Sequence, residues 1–139
     1  MEHPTVFPTL SYDDARAAID FLIEAFGAER YAVYGGDDGR IQHAELRLGN
    51  GIVMLGSSAG DMPATGGRSG VYIAVADPDD HHARARGAGA EILREPHDTE
   101  YGSREYAAKD PEGNTWSFGT YQPFAFDHKA ELAKTAKAG

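Results

Sequence analysis

The chain has 139 residues, a formal net charge of −9, 41% hydrophobic residues and no cysteine. This is globular composition, and the missing cysteine excludes disulfides, thiolate nucleophiles and Cys-based zinc sites together. The acidic balance lacks the clustered Lys and Arg of a nucleic-acid surface, no apolar run is long enough to span a bilayer, and no leader pattern opens the chain. The expectation is a cytoplasmic protein without nucleic-acid or membrane partners, whose charge would suit a cationic ligand.

Residues 6–12, "VFPTLSY", read as a strand. A helix follows, capped by Ser11 or Asp13. Its apolar residues Ile19, Leu22, Ile23 and Phe26 fall on one face, and Gly27 is its stop. The run from Arg30 to Gly56 predicts three strands, joined by a Gly/Asp turn at 35–39 and by the two-residue hairpin signal Asn50-Gly51. Residues 57–69 are small, polar and Gly-rich and read as a loop.

The pattern then repeats. "GVYIAVAD" is a strand, Asp77-Pro78 opens a helix over about 78–87, and "GAGAEILREP" leads into another strand. "GSREYAAKDPEGNTWSFGTY" gives a strand, a turn and a strand. In that turn Pro111 fixes φ, while Gly113 and Asn114 tolerate positive φ. Beyond it Trp116 and Phe118 share one strand face, and Thr115, Ser117 and Gly119 share the other. Asp13 and Asp77, "GAE" at 27–29 and 89–91, and "GIVMLG" and "NTWSFG" all recur at an interval of about 63 residues, the mark of internal duplication.

Paired β-α-β-β-β units, "VADPD", "GAGAEI" and "DPEGNTWSF" resemble the vicinal oxygen chelate superfamily, and within it the glyoxalase/bleomycin-resistance group. The resemblance implies an α+β fold. Two modules, 4–58 and 68–121 with a linker at 59–67, would curve around a central cleft as one domain, followed by a tail at 122–139 with a helix-favouring stretch. It also implies a homodimer. Metal enzymes of the superfamily take ligands from the first and last strands of each half. Those positions here are Phe7, Val71, Met54 and Ser117, none of them a His, Asp or Glu. The expectation is therefore no metal and no cofactor, and a mostly apolar pocket with Ser117 in it.

Further polar candidates are His43 and Glu45, two apart on one strand face, as a ligand contact or general base. Arg104 and Tyr106 share a face and could hold an anionic group and donate a hydrogen bond; Tyr101 would stand at the pocket rim. His81 and His82, adjacent on a helix, read as solvated. The functional expectation is metal-independent binding of a small organic molecule. The alternative is a glyoxalase-like lyase, isomerase or dioxygenase with unusual metal ligands, or metal-free acid–base catalysis.

Overall fold

A computed structural model describes residues 3–36 and 38–125. The elements run β1 (Thr9–Tyr12), α1 (Ala15–Phe26), β2 (Glu29–Gly35), β3 (Ile41–Leu48), β4 (Gly51–Ser57), β5 (Gly70–Ala74), α2 (Pro78–Gly87), β6 (Glu91–Asp98), β7 (Arg104–Lys109) and β8 (Thr115–Gly119). They form two four-stranded sheets of identical topology, β1-β4-β3-β2 and β5-β8-β7-β6. In each, the first strand pairs in parallel with the last, and the rest are antiparallel. This is the duplicated β-α-β-β-β architecture expected from the repeat. The helix-favouring stretch of the tail lies outside the described residues; before it, Pro123–Ala125 form a short 3-10 turn.

Local chemistry departs from expectation at two ends. The N-cap of α1 is Asp14, whose side chain accepts from the Ala17 N–H, rather than Ser11 or Asp13. The backbone N–H groups of Asp13 and Asp14 instead donate to the Glu112 carboxylate, each at 2.8 Å. An acid from the β7–β8 turn thus sits at the positive end of α1. The β3–β4 loop is Gly49-Asn50 and not Asn50-Gly51, because Leu48 pairs with Gly51 and the positive φ, +63°, falls at Gly49. A left-handed first loop residue matches the right-handed twist of the flanking strands.

Strand alternation sets the layers. Val53 and Leu55 of β4, and Trp116 and Phe118 of β8, are buried toward the helices. Ile52, Met54, Ser117 and Gly119 occupy the opposite, open faces. One buried cluster joins the helix sides of both halves, from Leu10, Ile19, Leu22 and Phe26 to Tyr106, Trp116 and Phe118. Helix α2 buries only Pro78 and Ala85. It is held by polar contacts: Arg84 donates to the Ile23 and Glu24 carbonyls at the end of α1.

His81 is not solvated. It is half-buried, with Nδ1 2.5 Å from the Tyr106 hydroxyl and Nε2 3.1 Å from the Phe26 carbonyl. A carbonyl only accepts, so Nε2 carries the proton and Nδ1 accepts from Tyr106. Burial holds His81 below its ordinary value and pushes the Tyr106 phenol well above its own.

The turn Asp110–Asn114 is the clasp of the molecule. Buried Asp110 accepts from the Tyr12 hydroxyl at 2.6 Å, Trp116 Nε1 at 3.0 Å and Asn114 Nδ2 at 3.1 Å, and from the Glu112 and Asn114 backbone N–H groups. Asn114 Oδ1 accepts from the Gly67 N–H and Ser69 Oγ of the inter-half loop. The turn after β7 therefore ties β1, β8 and the inter-half loop together.

Candidate functional site: the open sheet faces

On the first sheet, Phe7, Ile52 and Met54 line a hollow of about 370 Å³ closed by Pro4, Tyr31, Glu45 and Arg47. The register explains the grouping: Met54 pairs with Glu45 and Ile52 with Arg47, so all four side chains leave the same face of the sheet. Arg47 lies over the Tyr31 ring, 5.1 Å from its centroid. His43 stands one step further along β3, its Nε2 2.8 Å from Glu45 Oε2 and its ring stacked on Tyr34 at 6.3 Å. The His43 and Glu45 side chains are 41% and 29% exposed. Water screens a pair this open, so it contributes little to stability and is free to meet a ligand.

Three expected site residues are placed elsewhere. Val71 pairs with Trp116, on the helix side of the second sheet, where it packs against the core. Tyr72, not Val71, is the neighbour of Ser117. Val71 also lines a separate gap of about 440 Å³ between β5 and the β3–β4 hairpin. Tyr106 pairs with Phe118 and is 1% exposed, stacked on that ring and bonded to His81. Arg104 shares its face and is bound to Asp79 and Asp98, which raise its pKa further. For Tyr106 and Arg104 the physical reason is loop length. Counting back from Ser117 to its partner Ala107 takes one residue more than counting from Met54 to Glu45, because the β7–β8 turn is longer. Each β7 residue is thus displaced by one face.

The open face of the second sheet joins Ser117 and Gly119 to residues not expected there. Its centre is small: Ala107, Ser117 and Gly119. Tyr72 flanks Ser117, and Glu105 flanks Gly119. Tyr101 is exposed and donates to both Glu105 oxygens at 3.0 Å, and that bond raises its pKa. Tyr121 meets Tyr72 and Tyr101 edge-on. Alternation from buried Tyr106 would have exposed Glu105 to sequence reading.

The divalent metal of many vicinal oxygen chelate enzymes does not fit this donor set. The open-face positions of the first and last strands are Thr9, Met54, Tyr72 and Ser117. Among the described residues no three His, Cys, Asp or Glu side chains converge. His43 and Glu45 offer two donors, short of the three or four needed. Among the described residues no helix is long and apolar enough to cross a membrane.

Comparison with known proteins agrees with this architecture. The profile of the Glyoxalase/Bleomycin resistance protein/Dioxygenase superfamily matches residues 3–118. An uncharacterised protein of Mycobacterium bovis is 35% identical over 127 residues, spanning 84% of this chain and 82% of its own. The crystal structure of TioX from Micromonospora sp. ML1 superposes with a TM-score of 0.71 at 34% identity, covering 84% of this chain and 94% of TioX. A glyoxalase/bleomycin resistance protein from Streptomyces sp. CB03234, 22% identical, shares the fold with a TM-score of 0.65 over 83% of this chain and 98% of that one. The chain belongs to the glyoxalase/bleomycin resistance protein/dioxygenase superfamily.

Proposed function

We propose that the protein binds a small organic molecule, a drug or metabolite, on the open face of the first sheet, without a metal. The observation that carries this reading is the hollow itself: an apolar floor of Phe7, Ile52 and Met54 with Glu45 and Arg47 converging on its rim. Apolar concavity with a few placed polar groups is the common form of small-molecule sites. Tyr31 and Phe7 offer ring surface to a flat ligand. The test is a fluorescence titration with a panel of aromatic compounds, followed by Ile52→Asp. A carboxylate in the floor must be desolvated by any apolar ligand, so affinity is expected to fall about tenfold or more. A compound that binds Ile52→Asp as tightly as the natural protein places its site elsewhere and overturns the reading.

A second reading is metal-free acid–base catalysis by His43, oriented by Glu45 at 2.8 Å. It would require turnover of a bound compound that His43→Ala abolishes while binding persists.

Members of the superfamily commonly form dimers, and this chain is proposed to do the same. Val6, 83% exposed, and Met62, 53% exposed, are apolar surface that a second copy would cover. Sedimentation velocity is expected to give twice the chain mass at micromolar concentration; a single-chain mass there contradicts the proposal.

A further inference from the structure

We propose that the open face of the second sheet holds a site for an organic cation of the quaternary ammonium type. Three tyrosines form its walls. The Tyr72 and Tyr121 rings lie 6.3 Å apart at 63°, and Tyr101 and Tyr121 lie 5.8 Å apart at 84°. Tyr121 thus touches both other rings edge-on, while Tyr72 and Tyr101 keep ring surface open to solvent. Two of the hydroxyls are committed: Tyr72 donates to the Tyr121 carbonyl at 2.7 Å, and Tyr101 donates to Glu105. These bonds fix the rings while Tyr72 and Tyr101 remain 39% and 53% exposed.

Glu105 supplies the charge. It is half-buried, and no cation lies within ion-pair distance of it among the described residues. Its cross-strand neighbour His97 directs Nδ1 to the Glu95 carbonyl instead, and Arg104 on the other face is occupied by Asp79 and Asp98. Other acids of comparable setting have partners: Glu45 meets His43, and Asp79 meets Arg104. Gly119 lies beneath, closely packed by the Glu105 and Tyr72 side chains. A Cβ there would come within 2.5 Å of Glu105 Cγ and 2.9 Å of the Tyr72 hydroxyl. Only glycine lets the carboxylate stem and the phenol approach the same point. A carboxylate with no counter-ion among the described residues, beside exposed tyrosine rings in a chain of net charge −9, selects a cation that is bulky and weakly hydrated. A strongly hydrated ion would forfeit its water without recovering it from the rings.

The site is separate from the first-sheet hollow and does not depend on the reading given above. The test titrates the full chain with choline and with its uncharged tert-butyl isostere, in which carbon replaces the quaternary nitrogen. The readouts are the tyrosine ring resonances and the heat of binding. Choline is expected to shift the rings of Tyr72, Tyr101 and Tyr121 saturably, and the isostere to bind about tenfold more weakly. Tyr101→Leu and Glu105→Gln are expected to weaken choline about fivefold or more, and Tyr101→Phe to stay within about threefold. Ile52→Asp, in the other hollow, leaves choline binding unchanged. Equal affinity for the two compounds, or no saturable shift, overturns the proposal. So does a loss of choline binding in Ile52→Asp equal to that in Glu105→Gln, since the cation would then sit on the first sheet.

Discussion

Asp110→Ala is expected to destabilise the fold by about 3–5 kcal/mol, a large share of the stability of a domain of this size. Asp110 is 5% exposed, and its carboxylate is the shared acceptor for Tyr12, Trp116 and Asn114. Removing it strands the Tyr12 hydroxyl and the Trp116 indole N–H, both on residues with no solvent exposure. Each orphaned buried donor forfeits its desolvation without recompense. The loss also releases the Glu112 and Asn114 backbone N–H groups, so the turn loosens. With it goes the Glu112 carboxylate at the start of α1. Asp110→Asn keeps the shape and one acceptor oxygen, and is expected to cost about half as much. Urea unfolding checks both: the midpoint should fall with an unchanged slope. A loss under 1 kcal/mol for Asp110→Ala would mean that water replaces the carboxylate and that the clasp is not structural.

How much of this was legible in the sequence depended on the kind of spacing involved. The faces of single strands were legible, because strand period is two and Trp116 and Phe118 cannot share a side with Ser117. The same argument placed His43 and Glu45 together, and Phe7, Glu45 and Met54 do line one hollow. Register between strands was not legible. The helix caps that the structure shows are Asp14 and Asp77, and their interval equals that between Met54 and Ser117 and between Thr9 and Tyr72. Taking Asp13 as the cap lengthened the interval by one residue. On a strand that error sets Val71, in place of Gly70, as the counterpart of Phe7, and so takes the core face for the open face. The longer β7–β8 turn did the same to Arg104, Tyr106 and Glu105. The aromatic cluster was hidden for a further reason. Tyr72, Tyr101 and Tyr121 come from an edge strand, a loop and the segment after β8, and no periodicity links them.

Phe26→Ala is expected to cost about 3–5 kcal/mol and to loosen one half of the molecule from the other. Phe26 is the last residue of α1, yet its ring lies 4.8 Å from Phe118 and 5.6 Å from Trp116, both on the second sheet. On its own helix it meets Phe21 at 5.2 Å. Truncation leaves a cavity at the junction, where both sheets are rigid and neither can collapse into it. Phe26→Leu refills most of the volume and should cost about 1 kcal/mol. The same junction is acid-sensitive. The Phe26 carbonyl accepts from His81, and burial keeps that imidazole below its ordinary value of 6.5. In the unfolded chain His81 therefore binds its proton at higher pH than in the folded one. Its contribution is complete above pH about 6.5 and declines as pH falls below it, since protonation favours the unfolded state. A second proton on the ring would also reverse the bond to Tyr106, with Nδ1–H donating to the phenol oxygen. His81→Gln keeps a donor for the carbonyl and cannot titrate. The unfolding midpoint of the natural protein should drop relative to His81→Gln between pH 7 and pH 5; parallel pH profiles would show that the junction stays neutral for another reason. Because each proposed site is lined by one half alone, Phe26→Ala, like Asp110→Ala, should weaken ligand binding only through loss of the fold.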